Sequence, residues 1–260
     1  MSYWSVELCG RVAMMTFARP PRNFLDFTTM ADLGDLLADL ASKSDEVKVV
    51  MLTGGVDDHF VADGDLADRR RAVQDGVPEG ILSWLRLTCL LRDMPQPAVA
   101  AIDGRAFGGG GELALACQLR IGSERARLGR LPPLNDMGLD AAAAPRGRIF
   151  TAQEALGLGW LNAVLPMEGF VDAALAWCQE LADLVSTALM AAKKVLVRGV
   201  EWPLQQRVEL EIAEFLGLVG TGLVRRNEPP TGGLIGHRLP APHSGERARS
   251  AGTHGGFQPQ

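Results

Sequence analysis

Lysine is nearly missing from this chain. Lys43, Lys48, Lys193 and Lys194 are the only ones, and arginine carries the rest of the basic charge. The four cysteines, Cys9, Cys89, Cys117 and Cys178, lie far apart in apolar surroundings. They form no CxxC pair, which argues against a zinc site or a disulfide framework. Reduced core thiols in a cytoplasmic protein are therefore expected. His237, His243 and His254 sit near the C-terminus at irregular spacing, so no metal site is expected there. No stretch approaches the ~18 uninterrupted apolar residues of a membrane span. The start, MSYWSVELCGRV, lacks a basic region followed by a long apolar run, so no signal peptide is expected. The formal net charge of −5 argues against nucleic acid as the main partner.

What is present is a chain of 260 residues, 47% hydrophobic, enough for a substantial core. Val6–Leu8 and Val12–Phe17 flank Cys9-Gly10-Arg11 and read as two strands joined by a tight turn. Phe27 to Leu40 places Leu33, Leu36, Leu37 and Leu40 on one helical face, with Thr28 or Thr29 as the cap. Val47–Leu52 reads as a buried β-branched strand. A compact loop, His59 to Leu66, follows. From Asp68 through Arg69, Arg70 and Arg71 to Pro78 the text is charged and reads as exposed. Ile81 to Met94 reads as a helix with Leu82, Leu85 and Leu90 in the core. Val99–Ile102 is a further strand. Alternating strands and helices mean an α/β fold.

The densest signal is Ala98 to Arg120, AVAAIDGRAFGGGGELALACQLR. It reads as strand, turn at Asp103-Gly104, glycine-rich loop Gly108–Gly111, then helix. A Walker A loop would need a Lys after its last Gly, and none follows. A dinucleotide fingerprint counted from Gly108 and Gly110 would need Gly where Leu113 stands. Glycines leave room for close packing of helix on strand. They also let another molecule touch the main chain beside a helix N-terminus, where unpaired N–H groups suit an oxygen gaining negative charge.

The loop Phe60-Val61-Ala62-Asp63-Gly64-Asp65-Leu66 resembles the pattern Phe-x-Ala-Gly-Ala-Asp-Leu of the crotonase superfamily, which holds the enoyl-CoA hydratases and isomerases. The stretch Pro97 to Cys117 is similar to that family's signature. Thr151 to Val164, and Ala191-Ala192-Lys193-Lys194 with Glu211 and Phe215, echo its later segments. The resemblance covers about Val6 to Thr221. It implies a spiral of ββα units over residues 1–185. It also implies a helical trimerisation region at 186–221, with homotrimers often pairing as hexamers. The substrate implied is an acyl-CoA thioester, coenzyme A being part of the substrate and not a cofactor. Its carbonyl oxygen would lie between the N–H groups of Ala62 and Gly109. Substrate contacts would come from Ala62, Asp63, Gly64, Asp65, Leu66, Gly108 and Gly109. Glu112 would be one of two acid/base carboxylates.

Three departures from the family pattern stand out. The place of the second carboxylate falls on Pro132 or Leu134, neither of which moves a proton; Asp136 and Asp140 lie nearby. The segment from Leu139 to Phe150 is shorter than the family's. No Lys is available in the last helix for the CoA phosphates, leaving Arg225 or Arg226, or Arg69–Arg71, as basic candidates. Residues 222–260 are poor in apolar side chains and are expected to be disordered. One carboxylate suffices for double-bond migration, so an isomerase or another enolate enzyme is as consistent as a hydratase. The alternative is a catalytically weak member that binds acyl-CoA or assembles with active relatives. A serine protease finds no support, since no Ser and His pair lies in the motif region.

Overall fold

The computed structural model describes residues 2–65, 67–68, 70, 74, 79–129, 148–184, 186–200 and 202–220. Leu66, Arg69, Arg71, Pro132, Leu134, Asp136, Asp140, Arg225, Arg226 and the residues 222–260 lie outside them.

Two sheets are built together, one strand at a time. Strands β1 (Trp4–Cys9), β2 (Val12–Phe17), β4 (Val49–Gly54), β7 (Ala98–Ile102), β9 (Leu119–Ser123) and β12 (Ala163–Leu165) form a six-stranded sheet in that order. Strands β11 (Ile149–Thr151), β10 (Arg127–Gly129), β8 (Arg105–Phe107) and β5 (His59–Val61) form a four-stranded sheet. A small pair joins β3 (Phe24–Leu25) to β6 (Asp63–Gly64) in parallel. The chain visits the sheets alternately: β4 then β5, β7 then β8, β9 then β10. After β8 comes helix α3 (Gly109–Ala116), and after the β5–β6 segment comes α2 (Glu79–Asp93). This is the expected spiral of ββα units. The neighbours β2–β4–β7–β9–β12 run parallel and read as nearly continuous apolar runs, as strands covered on both faces do.

Helix α1 (Phe27–Ser42) packs on α2. Its cap is Asp26, not Thr28 or Thr29: Asp26 accepts from the Thr29 N–H, and the Thr29 hydroxyl in turn accepts from the Asp26 N–H. This capping box satisfies two donors that would otherwise lack partners. Leu33, Leu37 and Leu40 are buried as expected, each fully buried Leu contributing about 1.5–3 kcal/mol of transfer free energy. On α2 the expected face is corrected. Leu82 and Leu85 are 59% and 57% exposed, and Leu87 and Leu91 are buried instead. Leucines occur on both faces, so periodicity alone could not choose; packing against α1 does. The strand expected from Val47 begins at Val49. Asp68, expected to be exposed, is only 8% exposed and accepts the Phe27 N–H at 2.8 Å. Among the cysteines, Cys117 and Cys178 are buried and burial pushes both thiols up to about 12, so neither is a nucleophile at neutral pH. Cys9 and Cys89 are only half-buried, which corrects their reading as core residues.

The chain closes with α4 (Ala152–Gly157), α5 (Phe170–Asp183), α6 (Ser186–Gly199) and α7 (Leu204–Gly220). On α6, Leu196 is 71% exposed. The inward residues of α6 are Ala191 and Lys193. The Lys193 ammonium donates to the carbonyls of Leu91 (2.9 Å) and Gln96 (2.7 Å), tying α6 to the end of α2. Burial pulls this lysine down from 10.5 to about 8, with Cys117 and Asp93 opposing. The folded chain therefore sheds this proton before the unfolded chain does. Between pH 8 and 10.5 the unfolded state binds more protons, so stability from this position rises with pH and the penalty is fully present below pH 8. Wild type is expected to gain about 2–3 kcal/mol relative to Lys193→Met between pH 7 and pH 10, read from urea unfolding. Parallel pH dependences of the two proteins would show that the ammonium is not held out of water.

Candidate functional site

The site forms where the β5–β6 segment meets the start of α3. Gly108 caps that helix at φ 44°, ψ −120°, a positive φ at which side chains are rarely tolerated. Three of the four glycines expected in a loop, Gly109 to Gly111, lie inside the helix instead. Gly110 is needed for room: a Cβ there would fall 1.9 Å from the carbonyl oxygen of Val61. The helix N-terminus is thus pressed against the end of β5.

The opposing segment is irregular in a way that frees a donor. The Ala62 N–H donates to the Asn23 carbonyl at 3.2 Å and the Asp65 N–H to the Leu25 carbonyl at 2.8 Å. A regular ladder alternates its donors every second residue. Here the two donors are three apart, and the odd residue leaves the Gly64 N–H outside the β3–β6 ladder. That N–H and the Gly109 N–H both donate to one atom, Asp63 Oδ1, at 2.7 and 3.1 Å. The converging pair is therefore Gly64 and Gly109. The N–H of Ala62, expected as the partner of Gly109, donates to the Asn23 carbonyl instead.

Asn23 and Arg19 hold this arrangement, and the sequence reading missed both. Asn23 is fully buried at φ 54°; its amide donates to the carbonyls of Phe17 (2.8 Å) and Phe60 (2.9 Å) and its oxygen accepts the Arg19 N–H. Arg19 pairs with Asp26 at 2.8 Å and Asp65 at 3.2 Å. An Asn beside two prolines reads as ordinary loop, and only the positive φ and the burial mark it as a clamp.

Gly64 and Gly109 open onto a cavity of about 240 Å³. Its apolar wall is Leu25, Phe27, Met30 and Trp84, and its polar wall includes Asp26, Asp65, Asp68 and Glu112. Glu112 sits in the first turn of α3, half-buried, its N–H bonded to the Gly108 carbonyl at 2.9 Å. Of the expected contact residues, Gly64, Asp65 and Gly109 line this cavity. Ala62 and Asp63, again with Gly64, line a second cavity of about 300 Å³, together with Arg22, His59 and Arg105. Of the arginine run proposed for phosphates, Arg70 is exposed. The arrangement offers two main-chain donors, a carboxylate on the adjacent helical turn and an apolar wall. That set can stabilise an oxygen anion and move a proton beside it.

Comparison with known proteins agrees in extent and in fold. The family model for enoyl-CoA hydratase/isomerase matches residues 7–144 and 137–220. A Bacillus subtilis protein named as an enoyl-CoA hydratase/isomerase, YngF, is 31% identical over 226 residues, 80% of this chain and 83% of its own. The short-chain-enoyl-CoA hydratase of Clostridium acetobutylicum is 27% identical over 228 residues, 81% of this chain and 87% of its own. The crystal structure of enoyl-CoA hydratase from Bacillus anthracis superposes with a TM-score of 0.77 at 25% identity, covering 84% of this chain and 92% of that one. With a spiral of paired strands and a family match across most of its length, this chain has the crotonase fold and belongs to the enoyl-CoA hydratase/isomerase family.

Proposed function

We propose that the chain acts on an enoyl-CoA or related acyl-CoA thioester by proton transfer next to the thioester carbonyl. The observation that carries this reading is the convergence on one oxygen atom of the N–H groups of Gly64 and Gly109, two residues that line the same cavity as Glu112. A thioester oxygen placed there would take on enolate charge as a proton leaves the adjacent carbon, and each donor of such a pair typically lowers the barrier by about 3–4 kcal/mol. Glu112 is the group to accept and return that proton. Returning it to a different carbon is double-bond migration and needs no second carboxylate. The test is turnover of crotonyl-CoA and of a β,γ-enoyl-CoA, with thermal-shift titration by the same thioesters. Stabilisation by a thioester, together with loss or gain of the conjugated absorbance, is expected. No response to any acyl-CoA would overturn the reading.

A second reading, a catalytically weak member of the family, is favoured by one observation. A carboxylate of the chain itself sits between the two donors.

Assembly into trimers follows the resemblance, and the last helix supports it. Leu204, Val208, Ile212, Phe215 and Val219 recur at helical spacing along α7, all exposed, and α7 buries no residue within the single chain. Wild type is expected to sediment as a trimer or hexamer and an Ile212→Glu/Phe215→Glu variant as a monomer. A wild-type monomer at micromolar concentration would rule this out.

A further inference from the structure

We propose that Asp63 governs access to the amide pair: its carboxylate occupies the seat of the substrate's carbonyl oxygen and must leave before a thioester can enter. This rests on the acyl-thioester reading above. Asp63 Oδ1 accepts from Gly64 at 2.7 Å and from Gly109 at 3.1 Å. Both distances are those of well-formed hydrogen bonds. The seat is shaped for the carboxylate. A Cβ on Gly108 would fall 2.0 Å from Oδ1 and 2.6 Å from Asp63 Cγ, so the group lies directly against the Gly108 backbone. It also caps α3, whose own cap residue, Gly108, has no side chain to offer.

The resemblance makes the residue unusual. In Phe60-Val61-Ala62-Asp63-Gly64-Asp65-Leu66, Asp63 stands where the family pattern has Gly, which has nothing to place between the donors. An ionised acceptor at a helix N-terminus forms hydrogen bonds about twice as strong as a neutral carbonyl does. A ground-state thioester therefore competes poorly with Asp63, and the enolate competes on near-equal terms. Asp63 lines the cavity of about 300 Å³ that Arg22 and Arg105 border, so a carboxylate displaced from the two amides has open space on the side of two arginines. Backbone strain does not hold residue 63 in place: the only non-glycine residues at positive φ among those described are Asn23 and Asp58, so Ala or Asn fits there.

The experiment compares wild type with Asp63→Ala, which empties the seat, and Asp63→Asn, which keeps the shape and removes the charge. Two readouts are taken on each: affinity for acetyl-CoA by calorimetry, and the amide resonances of Gly64 and Gly109 in ¹⁵N-labelled protein. Asp63→Ala is expected to bind acetyl-CoA about 10-fold or more tighter than wild type, since one factor of 10 corresponds to about 1.4 kcal/mol, within the strength of the contacts removed. Asp63→Asn should fall between. In wild type both amide protons should resonate downfield and move together when the carboxylate is removed. Equal affinities with unmoved amides would overturn the proposal. If the amides move but no variant binds any acyl-CoA, the occupied seat stands and the choice of acyl-CoA as substrate falls.

Discussion

Glu112→Gln is expected to cut acyl-CoA turnover by about 10²–10⁴-fold, the usual contribution of a positioned acid/base group. The exchange keeps the size of the side chain and its place in the first turn of α3, and removes only the ability to carry a proton. A purely structural role is separable from this. A first-turn carboxylate favours the helix dipole by about 0.3–1 kcal/mol, which would appear as a small fall in melting temperature with turnover retained. The catalytic role predicts the opposite split: kcat falls steeply, and acyl-CoA affinity stays within a few-fold. Undiminished kcat in Glu112→Gln would remove Glu112 from the mechanism.

The largest effect on stability is expected at Gly110. A methyl group there would lie 1.9 Å from the Val61 carbonyl oxygen and 2.7 Å from its carbon, and backbone cannot yield as a flexible side chain can. Gly110→Ala must push α3 away from β5, which also separates Gly109 from Gly64. A loss of about 4 kcal/mol or more is expected, a large share of the ~5–15 kcal/mol that holds a typical domain folded. Gly157, at the end of α4, is the control, since nothing lies within 4 Å of its ideal Cβ and its φ is not positive. Gly157→Ala should be neutral or stabilising by up to ~1 kcal/mol. Urea midpoints measure both. Similar midpoints for Gly110→Ala and wild type would mean that the helix does not sit as tightly as the structure places it.

How much of this could be read from residues alone depended on the kind of signal. Leu33, Leu37 and Leu40 fall at one helical spacing, and the structure buries all three. Apolar strands such as Ala98–Ile102 were equally plain. α2 was not, because leucines at 82, 85, 87 and 91 satisfy two faces and only the partner helix chooses between them. The short strands β3, β6 and β8 carry too few residues for any periodicity, and each pairs with strands as short as itself. Of the residues proposed for the site, Gly109 and Glu112 stand in the glycine-rich stretch that the sequence singled out, and both line one cavity. That the Gly64 N–H, and not that of Ala62, converges with Gly109 is decided by backbone bonds to Asn23 and Leu25, and no side-chain pattern reports that. The Asp63 contact was likewise invisible, being a bond between a side chain and the backbone of a residue 46 positions away.

Strands β10 and β11 are antiparallel neighbours, with Gly129 directly opposite Ile149. Whatever path the chain takes between them, it must leave and return at the same rung. The geometry at that rung is indifferent to how many residues make the excursion, and each doubling of its length costs only about 0.6 kcal/mol in closure entropy. The Gly64–Gly109 pair is anchored on other coils of the spiral, so its spacing does not depend on the length of that path.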